Sequence, residues 1–255
     1  VWLPHDGKLL PKELALALAQ GARLHGAQVR EGVRVSEILH QRGRAVGART
    51  PQGDIAADVV VLCGGMWSRQ LAQGCGVSLP LYPVEHHYVV TEPLPGAFDE
   101  LPVGRDPDLC LYFRGEGDAV MLGAFQARSK PWLPHVPSDF AFQLLGDDWE
   151  KFAEPLANGR WRIPTLQTCR FERFVNGPES FTPDNNFLMG ETPELRGLFV
   201  AAGFNSVGIA SAGGAGKYLA EWIAGGQMPI DLWSVDVRRF GGYANNTAFV
   251  RERSA

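Results

Sequence analysis

Cysteine pairs, histidine pairs, long apolar runs and blocks of like charge are all missing from this chain, and each absence removes a class of function. The four cysteines, Cys63, Cys75, Cys110 and Cys169, stand far apart and form no C-x-x-C pair, which argues against a disulfide scaffold and structural zinc. The six histidines show no H-x-x-x-H spacing, so no metal site is expected. No apolar run nears the roughly 20 residues that a bilayer-crossing helix needs. The formal net charge is −4 with no basic block, so neither nucleic acid nor an anionic membrane is indicated as a partner. Unpaired cysteines suit a reducing compartment; the expectation is cytoplasmic, with the mitochondrial matrix as alternative. There is no G-x-G-x-x-G fingerprint, residue 1 is valine rather than methionine, and no targeting peptide is visible. What remains is ordinary globular composition: 255 residues, 45% hydrophobic and 20% charged, enough for a substantial core and one or two domains.

The most informative stretch is 177–226. The run Leu198-Phe199-Val200-Ala201-Ala202 reads as a short apolar strand, followed by the turn Gly203-Phe204-Asn205-Ser206-Val207-Gly208 and then a helix. Glycines let the backbone pass close to a flat ligand, and the helix start offers unpaired N–H groups with a partial positive charge. A reduced flavin, negative along one edge, would be stabilised there. The tract Gly213-Gly214-Ala215-Gly216-Lys217 resembles a phosphate loop only superficially. Ser211 stands where the upstream glycine is required and Tyr218 where Ser or Thr would hold magnesium, so a nucleotide-triphosphatase is rejected.

Elsewhere the chain alternates. Leu14, Leu18 and Ala22 predict a helix between Pro11 and Gly26, followed by strands around 28–30 and 33–38. Segments 44–49 and 54–57 predict a hairpin across Pro51-Gln52-Gly53. The unbroken apolar run 58–63 predicts a strand covered on both faces, ending at Gly64-Gly65. From 79 to about 173 the texture changes to strands at 82–91, 109–113 and 119–125 between Pro/Gly-rich connections, with a helix expected over 140–156. The resulting domain expectation is a nucleotide-binding α/β part at 1–79, a mostly antiparallel inserted domain at 80–173, a return at 174–228, and a linker at 229–255.

These features are similar to one family. The tract from Gly177 with its Glu179-Ser180-Phe181-Thr182-Pro183-Asp184 run, the Cys63-Gly64-Gly65-Met66-Trp67 turn, His87-Tyr88-Val89-Val90-Thr91-Glu92 and Tyr112-Phe113-Arg114 resemble the sarcosine and dimethylglycine dehydrogenases, flavoproteins of the D-amino-acid oxidase type. The resemblance implies an FAD/NAD(P)-binding type domain with an inserted substrate-binding domain, FAD as cofactor, and oxidation of the N-methyl group of a small amino acid. It also implies a Rossmann βαβ before this region and, after it, a further domain often followed by a folate-binding module. On that comparison the chain looks cut at both ends, and alone it is expected to bind FAD poorly. The same tract also resembles regulatory subunits of pyruvate dehydrogenase phosphatase, which gives a non-catalytic alternative.

Site residues follow from the same resemblance. His86 matches a histidine placed at the flavin, Tyr112 a tyrosine on a neighbouring strand, and Arg114 a possible carboxylate clamp through its planar fork. Period-two alternation puts His86 and Tyr88 on one strand face and His87 on the other. Glu85 departs from relatives that carry another histidine there, with an expected change in the charge of the site. For the cofactor, Val35 is matched to the adenine side and Trp67 to the ring or its linker. Phe204, Asn205, Ser206, Val207, Gly208 and Ile209 are matched to the pyrimidine edge. Read without the resemblance, His86 and Trp67 are better taken as core residues, and Gly64-Gly65 is either a plain strand-to-helix turn or a close approach to a dinucleotide.

Overall fold

Most strands and helices begin and end where the sequence is punctuated by Gly, Pro and capping residues. The computed structural model describes residues 1–97 and 99–254, a mixed α/β chain that divides into two compact units. Among these residues no helix is long and apolar enough to cross a membrane.

One unit comprises Gln28–Val84, Pro131–Phe140 and Glu179–Ala255. Its first sheet is an antiparallel meander of Glu37–Gln41, Arg44–Thr50 and Gly53–Ala56. The expected hairpin is therefore present, whereas 28–30 and 33–36 form no strand. Its second sheet pairs Leu188–Glu191 antiparallel with Leu198–Ala202, which in turn runs parallel to Val60–Leu62. Among the described residues Val60–Leu62 stands at one edge of that sheet, with Leu62 buried and Val61 41% exposed. Leu62, Leu79, Leu81, Leu188, Leu198 and Val200 form the core. The helix Gly208–Gly225 follows the strand Leu198–Ala202 and buries Ala215, Leu219 and Trp222, with Trp222 meeting Phe199 edge-on at 5.9 Å. The segment after Pro229 carries the buried side chains of Asp236, Val237 and Val250; the Asp236 carboxylate is held by Arg238 at 2.6 Å.

The other unit comprises Val1–Ala27, Glu85–Lys130 and Ala141–Pro178. Its strands run in the order Phe171–Phe181, Tyr82–Thr91, Ala119–Ala124, Leu111–Glu116, Gly104–Asp106, antiparallel from Tyr82–Thr91 onward, and the first two continue beyond the unit in the chain. The helix Trp149–Arg162 packs on this sheet through Phe152, within a cluster that includes Val89, Leu111, Leu122 and Leu166. The helix expected over 140–156 is thus displaced toward the C-terminus. Phe142 has φ 56°, which an α-helix does not accommodate, and Asp148 caps the true start by accepting the Lys151 N–H at 2.9 Å. The helix also runs through Pro155 instead of stopping. Proline cannot donate to the Lys151 carbonyl four residues back, and Gln126 Nε2 takes over that bond at 2.6 Å.

Candidate functional site

Within the sheet of the second unit, His86 and Tyr112 meet. They lie on strands that are not neighbours: Tyr88 and Tyr112 both pair with Gly123 of the strand between them. A Cβ on Gly123 would fall 2.1 Å from the Tyr112 ring, so only glycine leaves the gap across which the phenol reaches the imidazole. Tyr112 Oη lies 2.8 Å from His86 Nε2 with the rings near parallel at 15°, and Phe125 packs against both at 5.2–5.3 Å. Burial, assisted by the neighbouring His87, lowers the His86 pKa to about 4, so its imidazole is neutral at physiological pH. Gly123 and Phe125 are members of this arrangement that sequence reasoning missed. Their signal, a glycine inside a strand and a phenylalanine just past its end, acquires meaning only once the strand order is known.

Arg114 lies two residues beyond Tyr112 in a regular strand, and its Nη2 donates to Glu116 at 3.2 Å, which in turn holds Arg173 at 2.6 Å. The Arg114 Nε–H is buried without a hydrogen-bond partner among the described residues. His87, 2% exposed, turns to the opposite face and meets Phe174 edge-on at 5.8 Å. Glu85 accompanies His87 rather than His86. Its buried carboxylate accepts from Asn176 Nδ2 at 2.7 Å and from Lys130 Nζ at 3.2 Å, while Lys130 also bonds Asp148 at 2.7 Å. Donor atoms of Glu85, His87 and Asp148 lie within 4.8 Å of one another, and the Lys130 ammonium supplies the positive charge there. The expected change in the charge of the His86 site therefore does not arise: Glu85 points to the other face and is neutralised by a lysine.

In the first unit, the turn 203–208 lies between the strand Leu198–Ala202 and the helix Gly208–Gly225. Gly203 has φ 67°, and a Cβ there would sit 2.4 Å from Leu81 Cδ2. Asn205 (φ 48°) and Ser206 (φ 63°) also adopt left-handed backbone. The buried Asn205 side chain is spent on the fold: its Oδ1 accepts from the Thr182 N–H at 2.9 Å and its Nδ2 donates to the Gly203 carbonyl at 2.7 Å. Ser206 Oγ donates to the Glu179 carboxylate. Phe204 stacks on Phe187 at 4.5 Å, whereas Val207 and Ile209 remain exposed, Ile209 at 49%. Val207 caps the helix without a side-chain hydrogen bond and the first turn carries no acidic residue, so among the described residues no capping side chain competes for the first N–H groups of this helix. Trp67 is exposed and Gly65 has open space where a Cβ would project, while Val35 is half-buried against the core. An uncapped helix start beside exposed apolar side chains fits an electron-rich, flat heterocycle such as a flavin.

Comparison with known proteins decides the family. The model described as FAD dependent oxidoreductase matches residues 1–222, and its companion, FAD dependent oxidoreductase central domain, matches 225–255. The chain belongs to the FAD-dependent oxidoreductase family. It is 45% identical over 99% of its length to 4-methylaminobutanoate oxidase (formaldehyde-forming) of Paenarthrobacter nicotinovorans, covering 31% of that protein. It is 39% identical over its full length to human mitochondrial sarcosine dehydrogenase, covering 28% of it. The chain thus spans about three tenths of the length of the curated relatives it matches. Among solved structures, L-proline dehydrogenase from P. horikoshii superposes with a TM-score of 0.79 at 25% identity, covering 94% of this chain and 62% of that one. The family is FAD-dependent, and the mixed α/β fold agrees with its members.

Proposed function

We propose that the protein containing this chain oxidises the N-methyl group of a small amino acid, of the sarcosine or dimethylglycine kind, with FAD as the hydride acceptor. The observation that carries the reading is the half-buried His86 hydrogen-bonded to Tyr112 at 2.8 Å, in surroundings that lower its pKa by desolvation. Oxidation of a secondary or tertiary amine requires its free base, because the nitrogen lone pair must assist loss of hydride from the methyl carbon. The desolvation that strips the proton from His86 acts in the same sense on an ammonium placed beside it. Tyr112 fixes the imidazole through its hydroxyl, and the partnerless Arg114 Nε–H is a donor suited to the substrate carboxylate. FAD, when bound, supplies the electron sink; the residues proposed to hold it are Gly64, Gly65, Trp67, Val35 and the 204–209 segment, chiefly through backbone and exposed apolar surface.

Support for the substrate class comes from the relatives, named for a methylaminobutanoate and for sarcosine. The regulatory alternative is the weaker reading, since both of these relatives carry the names of oxidising enzymes. The experiment is anaerobic mixing of the full-length holoprotein with sarcosine, dimethylglycine and 4-methylaminobutanoate in turn. Bleaching of the visible flavin band by one of them supports the proposal. A band that survives every N-methyl amine rejects it in favour of a regulatory role.

A further inference from the structure

We infer that Glu179 is the positioning residue of the turn 203–208, and that its carboxyl, through Ser206, holds that backbone in the shape that receives FAD. The inference rests on the proposal that this turn contacts the cofactor. Ser206 is not glycine, yet it holds φ 63°, a left-handed conformation that L-residues adopt only against steric strain. Asn205 at φ 48° tolerates the left-handed region better, because its own side chain closes back on the Gly203 carbonyl. Serine has no such local solution, so something outside the turn must hold it.

Glu179 supplies that hold. Its carboxylate accepts both the Ser206 hydroxyl and the Ser206 backbone N–H, and it is largely buried where it does so. Three residues further along the same segment, Thr182 donates its N–H to Asn205 Oδ1 at 2.9 Å and accepts from Asn205 Nδ2 at 3.1 Å. One short piece of chain therefore grips both of the turn's non-glycine left-handed residues. The grip lies directly before Val207 and the uncapped start of the helix Gly208–Gly225. Any relaxation of Ser206 toward ordinary φ would redirect the N–H groups of that first turn, because the residues between are too few to absorb it. The Glu-Ser-Phe-Thr run thus gains a physical role: its first and fourth residues shape a turn more than twenty positions downstream.

The test uses the full-length protein, with FAD affinity read by flavin fluorescence, the shape of the visible flavin bands, and the Tm of the flavin-free form. Glu179→Ala should weaken FAD binding about tenfold or more and alter the bands, whereas Glu179→Gln, which keeps an oxygen acceptor, should stay within about threefold of wild type. Glu179→Ala binding within about threefold of wild type with unchanged bands overturns the inference. If that variant fails to fold, Ser206→Ala decides: weaker FAD binding at unchanged flavin-free Tm supports the role, and unchanged affinity overturns it. Val207→Asp, at an exposed position, probes contact of the turn with FAD separately. Loss of FAD in Val207→Asp but not in Glu179→Ala leaves the contact standing and removes Glu179. Substrate is absent throughout, so a failure of the N-methyl amine reading leaves this result intact.

Discussion

His86 is a base that its surroundings keep uncharged, and this has a measurable sign. Its folded pKa of about 4 lies below the 6.5 of an unburied histidine, so the unfolded chain binds the extra proton first as pH falls. The contribution to stability is complete above pH 6.5 and is lost progressively as pH drops toward 4. Replacing His86 with Asn should therefore flatten the stability profile between pH 6.5 and 4, removing up to about 3 kcal/mol of acid sensitivity in urea titrations of each variant. Its partner can be tested through chemistry. Tyr112→Phe keeps the ring contact with Phe125 and removes only the bond to Nε2, so flavin reduction by the preferred amine should slow about tenfold in stopped-flow with little change in Tm. The identity of both residues was legible in the sequence through family likeness. Their bond was not, because it crosses a third strand and depends on Gly123 leaving room.

Several elements followed the sequence where the signal was local. Leu198–Ala202 and the helix after it are where the apolar run, the glycine turn and the small-residue helix put them. The turn between them makes a sharp prediction. Gly203→Ala must place a methyl 2.4 Å from Leu81 Cδ2 at φ 67°, combining left-handed strain with a core clash. Denaturant unfolding should show a loss of about 1–3 kcal/mol, and the turn's contacts with Thr182 should loosen. At Pro155, where the local signal called for a break, a tertiary partner changed the outcome. The helix Trp149–Arg162 passes through Pro155 because Gln126, on another part of the chain, satisfies the carbonyl that proline abandons.

For the molecule as a whole, each unit has its own core, and perturbation of one should be distinguishable from perturbation of the other. Phe152 is fully buried against Phe174 at 5.7 Å and belongs to the cluster around Val89, Leu111 and Leu122. Phe152→Ala should cost about 3–5 kcal/mol, and hydrogen exchange should accelerate first in amides of 85–130 and 141–178 rather than at Leu188, Leu198 or Val200. Uniform acceleration across both sets of amides would show that the two cores unfold as one. By itself the sequence determined the family and many of the strands and helices whose signals lie within a few residues, because the latter rest on backbone preference and near neighbours. Only the tertiary structure decided that Glu85 faces Lys130, that His86 is neutral and bonded to Tyr112, and that Ser206 is held by Glu179. Desolvation and charge pairing depend on which distant segments the fold brings side by side, and that juxtaposition is written in no single stretch of the chain.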